Sequence, residues 1–422
     1  MPVTTRLSRS ALAISCASAL LAGCSLLDTS DGRHREITVL ANVTDESSMN
    51  SVVTAFHRQN PDIHVSVTYA DTSTLQKELP GKLREGEGPD VFTVWPGSGN
   101  PASVTALERD GLLEELALRR FNRTLPEGVR PVTDVLGITY VVPMSFSAIG
   151  AIYSGRTLDA IGGSVPATWS ELLDLCDTAR EHGKVLFALG NATPWVTQLL
   201  AYALVATAVY ADQPDFDDLM NQGKRTFAAS GWRTALEKYL AMNDRGCFGP
   251  RPLGTSYEDA LDQVADGRAV GVVQVASTLS ALRAAAPGLD LRMTALPATD
   301  DPEETRMPGA VSAAYGLNAD SPHREAALGF IDFLGSEEGQ NLYNRSGATL
   351  PAIPHTSFAV DPAVEEVAER QKAGTTVPFM DQRWPNSEVQ RTHFAQIEAL
   401  FAGTTSVDEA LAALDRAYQE RN

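Results

Sequence analysis

The 422-residue chain is poor in cysteine, in histidine and in positive charge, and each scarcity removes a class of function. Four cysteines in this length exclude a disulfide-scaffold mini-protein. Seven histidines stand singly, none paired at i, i+4 as a helical metal site requires, so no metal and no cofactor is expected. Lys and Arg number 34 against 53 Asp and Glu, a net charge of −19, which argues against nucleic acid or an anionic lipid surface as partner. No apolar run approaches the ~18 residues of a membrane span. Even Leu199 to Val209 is broken by Tyr202 and Thr207, and the mean hydropathy is −0.12. The G-x-S-x-G elbow, the H-E-x-x-H pair and the G-x-x-x-x-G-K-[ST] phosphate loop are all missing, so no enzyme activity is expected. What is present is a globular mix, 43% hydrophobic and 21% charged, long enough for about three domains of ~150 residues or one large two-lobed fold.

The N-terminus has its own logic. Met1 to Ser10 carries Arg6 and Arg9 and no acid, and Ala11 to Ala22 is an apolar stretch too short to span a bilayer, which reads as a secretory signal. Its ending, Leu21-Ala22-Gly23-Cys24, resembles the bacterial lipobox. Residues 1–23 are therefore expected to be a lipoprotein signal peptide, Cys24 the diacylglyceryl-modified residue, and 24–35 a polar linker. At ~0.8 kcal/mol per buried CH₂, several acyl chains on one residue tether a protein outside the cytoplasm without a spanning helix. Cleavage removes two arginines and no acid, taking the charge from −19 to −21. Cys16 leaves with the peptide and Cys24 is consumed by lipid. Cys176 and Cys247 remain, either as one disulfide or as a buried small hydrophobe and a loop thiol.

Beyond Glu36 the pattern is strand, helix, strand, helix, strand: Glu36 to Asn42, a helix carrying Met49, Val52, Val53 and Phe56, Ile63 to Tyr69, a helix from Ser73 to Glu85, and Asp90 to Trp95. This predicts a parallel sheet covered by helices. The pattern returns after Leu158. Thr168 and Glu171 form a capping box ahead of a helix from Trp169 to His182. Val185 to Leu189 and Val270 to Val275 read as strands, Trp195 to Tyr210 as a helix, 288–300 as a strand running into a crossover, and Gly309 to Leu317 as another strand. Pro322 to Leu334 is a helix, and the chain is mostly helical after Pro354. Two α/β units joined by crossovers imply two lobes and a cleft, with ligand at the carboxyl ends of the strands.

Gly97-Ser98-Gly99-Asn100-Pro101-Ala102 fits a loose dinucleotide fingerprint after a strand, but Pro96 and Pro101 distort the turn and no acid-terminated strand follows. Glycines there would still let a ligand approach the backbone closely. Trp95, Trp195 and Trp384 each sit beside a proline among small and polar residues, the combination of apolar plate and polar rim that a neutral polyol needs. Trp169 and Trp232 open helices and read as structural.

The order NPDIHVSV, EGPDVFTVW, LERDGLLEEL, ITYVVPMSFSAIGAIYS, PATWSELL, DGRAVGVVQ, ALPATD, AALGFIDFLGSEEGQNLY and GATLPAI, after the lipobox, resembles extracellular solute-binding protein family 1. These are the carbohydrate-capturing lipoproteins of ABC importers, similar in fold to maltose-binding protein. The resemblance implies a two-lobed periplasmic-binding-protein-like α/β fold of type II, each lobe a sheet flanked by helices and joined by crossover hinges. Residues 36–143 plus 298–348 would form the first lobe and 144–297 plus 349–422 the second. Carried over to this sequence, it implies ligand contacts at Trp95, Ser98 and Asn100, at Ser145 and Phe146 on the first crossing, at Asn191 and Trp195, at Tyr315 and at Trp384. Gln274 to Ser277 replaces an aromatic that the family often places there, leaving amide and hydroxyl groups at Gln274 and Ser277. The implied function is capture of a sugar or oligosaccharide and delivery to ABC permease subunits by a monomer anchored to the cell membrane. Another small solute (a peptide, polyamine or metal chelate) or an exported glycosidase are the alternatives.

Overall fold

The structure is a computed structural model and describes residues 35–420. The signal peptide, Cys24 and all but the last residue of the linker lie outside the described residues. Among the described residues twelve strands occur in chain order: β1 (Arg35–Asn42), β2 (Ile63–Ala70), β3 (Val91–Val94), β4 (Asp134–Val135), β5 (Ile138–Thr139), β6 (Val141–Ser154), β7 (Val185–Phe187), β8 (Ala269–Val275), β9 (Leu291–Thr294), β10 (Met307–Leu317), β11 (Leu350–Pro351) and β12 (Thr376–Val377).

The first unit is the predicted one. In β1, Ile37, Val39 and Ala41 alternate inward, and β1 pairs in parallel with β2 and β3. The helix Glu46–Gln59 lays Met49, Val52, Val53 and Phe56 on this sheet, where Phe56 meets Phe330 edge-on at 5.0 Å and Phe333 at 5.5 Å. Those two rings come from the helix Arg324–Leu334. The capping box at Thr168 and Glu171 forms and opens the helix Trp169–Glu181. In the second half, the helix Thr197–Ala208 is apolar apart from Thr197, Gln198 and Thr207 and is buried on nearly every side, as so apolar a helix must be.

The two lobes share one sheet. The strand order is β2-β1-β3-β10-β6-β8-β7, with β11 and β9 also on β6 and β12 on β10. The 14-residue β6 changes partners along its length: Val141 to Ala148 pair with β10, and Ile149 to Ser154 with β8 and β9. The sheets expected for the two lobes are continuous in one curled sheet, because β6 and β10 are long enough to serve both lobes. The 288–300 stretch is shorter than expected; its strand is β9 alone, and the crossing is made by β10. The predicted helix at Trp195 opens with a 3-10 turn, Pro194–Val196. Cys176 and Cys247 are bonded, with Cα atoms 4.8 Å apart, which resolves the alternative left open by the sequence.

Candidate functional site

Three strand ends converge on one cleft, as the carboxyl-end rule for α/β sheets requires. β1 ends at Asn42, whose side-chain Oδ1 accepts from the Thr44 amide at 3.0 Å while its Nδ2 donates to Thr72 Oγ1 at 2.8 Å. β3 runs into Trp95, whose amide donates to the Ala102 carbonyl at 3.0 Å and whose carbonyl accepts from the Val104 amide at 2.9 Å. β8 ends at Val275, followed by Ser277. The 3-10 turn ahead of the buried helix adds Trp195, the first turn of that helix adds Gln198, and the segment from Phe379 to Gln390 closes the remaining side. Together they enclose ≈ 850 Å³ of space, part of it open to solvent. A β-bulge in β10 between Val311 and Ala314 aims Ser312 at the cleft, a common use of bulges beside functional sites. The Gln382 Nε2 donates to the Val311 carbonyl at 2.7 Å, next to that bulge.

Two half-buried indoles, Trp95 and Trp195, offer apolar surface here, and Trp195 is steadied by Tyr257 at 5.1 Å between ring centroids. Around them stand amides and hydroxyls from Asn42, Gln76, Gln198, Gln390, Ser277 and Ser312. Two carboxyl groups complete the lining. Burial pushes Asp45 up to about 6, against hydrogen bonds from Tyr343 and Thr44, and pushes Asp381 up to about 6, against a bond from Gln390 Nε2 at 2.9 Å. Gln382 Oε1, in a buried side chain on the lining, has no hydrogen-bond partner. Among the described residues no group of three or more His, Cys, Asp or Glu is arranged to hold a metal ion.

Of the expected contact residues, Trp95, Trp195 and Ser277 meet at this cleft. Ser145 is buried one step behind it, its hydroxyl 2.8 Å from that of Ser312. Ser98 donates to the Trp384 carbonyl, Asn100 caps its own loop by accepting from the Ala102 amide, and Asn191 bonds the Tyr239 hydroxyl. Phe146 lines a separate groove with Val311 and Pro354. Gln274 is fully buried on β8 with neither amide atom bonded. Tyr315 is buried against Tyr343. Trp384 is a correction to the sequence reading: its ring is 2% exposed and packs among Tyr202, Phe227, Trp232 and His393, so its apolar surface is spent on the core. The glycine loop is another. A methyl group at Gly99 would lie 1.8 Å from the Asp381 carbonyl oxygen and one at Gly97 2.3 Å from that of Gln382, so the close approach is made by the chain's own backbone.

Asn42, Asp45, Gln76, Gln198, Asp381 and Gln390 were not anticipated. The polar run after β1 carried a signal, since Asn42 and Asp45 follow a strand end; Gln76, Gln198 and Gln390 lie on helices whose facing no local pattern specifies.

Residues 41–341 match the sequence profile of bacterial extracellular solute-binding proteins. A multiple sugar-binding protein of Streptococcus mutans is 22% identical over 337 residues, covering 77% of each chain. Among solved structures, a chitin oligosaccharide binding protein superposes with a TM-score of 0.73 at 20% identity, over 88% of this chain and 93% of that one. A solute-binding protein in complex with raffinose gives 0.75 at 17% identity, over 91% and 98%. The structural likenesses establish the two-lobed α/β fold, and with most of its described length inside the profile match, the chain belongs to the bacterial extracellular solute-binding protein family.

Proposed function

We propose that this protein captures a sugar or oligosaccharide in the cleft and delivers it to the permease subunits of an ABC importer, binding without chemistry. The observation that carries the reading is the pair of half-buried indoles, Trp95 and Trp195, presented at one cleft with a rim of amides and hydroxyls. A pyranose has an apolar C–H face and a hydroxyl edge, and such a pair of plates with such a rim complements both. The names of the related proteins, a multiple sugar-binding protein and binders of chitin oligosaccharide and raffinose, support the same class of ligand. We assign residues 36–143 plus 298–348 to the first lobe and 144–297 plus 349–422 to the second, with the protein acting as a monomer outside the cytoplasm.

Titration calorimetry against a panel of neutral oligosaccharides tests the reading. A binding member is expected at micromolar affinity, about −8 kcal/mol. Trp95→Ala and Trp195→Ala should each weaken it at least tenfold while leaving the unfolding midpoint near that of the parent. Unchanged affinity in both variants would sink the site assignment, and release of reducing sugar during the titration would replace binding by hydrolysis.

A further inference from the structure

The cleft is rich in acceptors and carries no cation. Its lining includes two carboxyl groups, Asp45 and Asp381, and no Lys, Arg or His among the described lining residues. The nearest basic side chain along the chain, Arg383, turns away to Asp218 at 3.0 Å. The groups that do bond the two carboxyls are neutral: Gln390 at Asp381, Tyr343 and Thr44 at Asp45. A carboxylate withdrawn from water without a counter-charge is costly, and the structure provides none.

A second observation points the same way. Gln382 is 7% exposed, with its Nε2 committed to the Val311 carbonyl and its Oε1, an acceptor only, left without a partner. The Tyr202 hydroxyl, in a side chain 1% exposed, lies against the Asp381 backbone and close enough to its carboxyl to feel the charge. Around Asp381 the cleft therefore offers unfilled acceptor capacity next to a buried negative group. A sugar hydroxyl supplies one donor. An ammonium supplies three donors, no acceptor and the missing positive charge.

Resting on the sugar-binding reading, we propose that the preferred ligand is a saccharide bearing a protonated amine, seated with its ammonium at Asp381 and with Asp45 adding to the negative field. The test uses the full chain and titration calorimetry at pH 6.5, where the amino-sugar ammonium is held, with glucosamine oligomers of two to four units compared with N-acetylglucosamine oligomers and neutral gluco-oligosaccharides of the same lengths. The amine-bearing oligomers are expected to bind at least tenfold more tightly than either matched series, with the preference shrinking between 50 mM and 500 mM salt. Asp381→Asn should bring the affinities of glucosamine and N-acetylglucosamine oligomers of equal length to within about threefold of each other, a loss of preference set by removal of the charge and not of the side-chain shape. Should that variant fail to fold, the salt dependence in the parent decides alone. Glucosamine oligomers that bind no more tightly than their neutral counterparts, or not at all, overturn the proposal. The sugar-binding reading then stands or falls separately, on the neutral panel and the tryptophan variants.

Discussion

Tyr210 donates to Asp217 at 2.8 Å, and burial pushes that carboxyl up to about 6. The unfolded carboxyl titrates near its ordinary value, so between pH 4 and 6 the folded state holds the extra proton. The stability this contributes is present below that window and is lost as pH rises through 6. His393 acts with the opposite sign: burial pushes it down to about 3, so below pH 6.5 the unfolded chain gains a proton that the folded chain refuses. The parent's pH profile blends these with Asp45 and Asp381, but a difference between variants isolates one. Asp217→Asn should stabilise relative to the parent by roughly 2 kcal/mol more at pH 7 than at pH 4.5, read from denaturant unfolding at both. An offset independent of pH would mean that Asp217 does not titrate in that window. Trp384 calls for a different measurement. With its ring in the core, Trp384→Ala should cost about 3–5 kcal/mol in denaturant unfolding, whereas Trp95→Ala should cost far less. Equal losses would remove the distinction between core and cleft indoles.

Among the elements, the ones legible in the sequence were those whose own pattern decides their state. β1, β2 and the helix Glu46–Gln59 show clean period-2 and 3.6-residue spacing, and the Thr168 capping box fixes its helix start through two reciprocal bonds. β6 was harder: buried over nearly all of its length, it carries no internal mark of where one partner strand gives way to another. The disulfide was undecidable for a related reason, since the approach of Cys176 on its helix to Cys247 depends on packing across a separation of 71 residues. Closing a loop of that length removes about 4 kcal/mol worth of freedom from the unfolded chain. Reduction should therefore lower the denaturant midpoint clearly, and a coincident curve for oxidised and reduced protein would show that the bond constrains nothing.

For the molecule as a whole, the lobed fold and the cleft followed from element order, because strand ends gather where α/β sheets bind ligands. The cleft's membership did not. Trp95 and Ser277 follow strand ends and were legible; Asp381 and Gln390 arrive from the last fifth of the chain, and Trp384 sits three residues from Asp381 yet faces the other way, into the core. The lipid expected at Cys24 from the lipobox resemblance has its own test, apart from the binding cleft. Cys24→Ala should move the protein from the membrane to the soluble fraction and end incorporation of labelled palmitate, with oligosaccharide affinity unchanged. Membrane retention in that variant would rule out the lipid anchor.

The glycine loop after β3 has a bearing on how such a site diversifies. Where Gly97 and Gly99 press on the backbone of Asp381 and Gln382, the gauge of the cleft floor is set by main chain against main chain. Substitutions among the lining side chains can retune what is bound without altering that gauge. A single methyl group at Gly99 would displace the carboxyl-bearing segment while touching no ligand, so the residues with the least chemistry to offer hold the calibration of all the others.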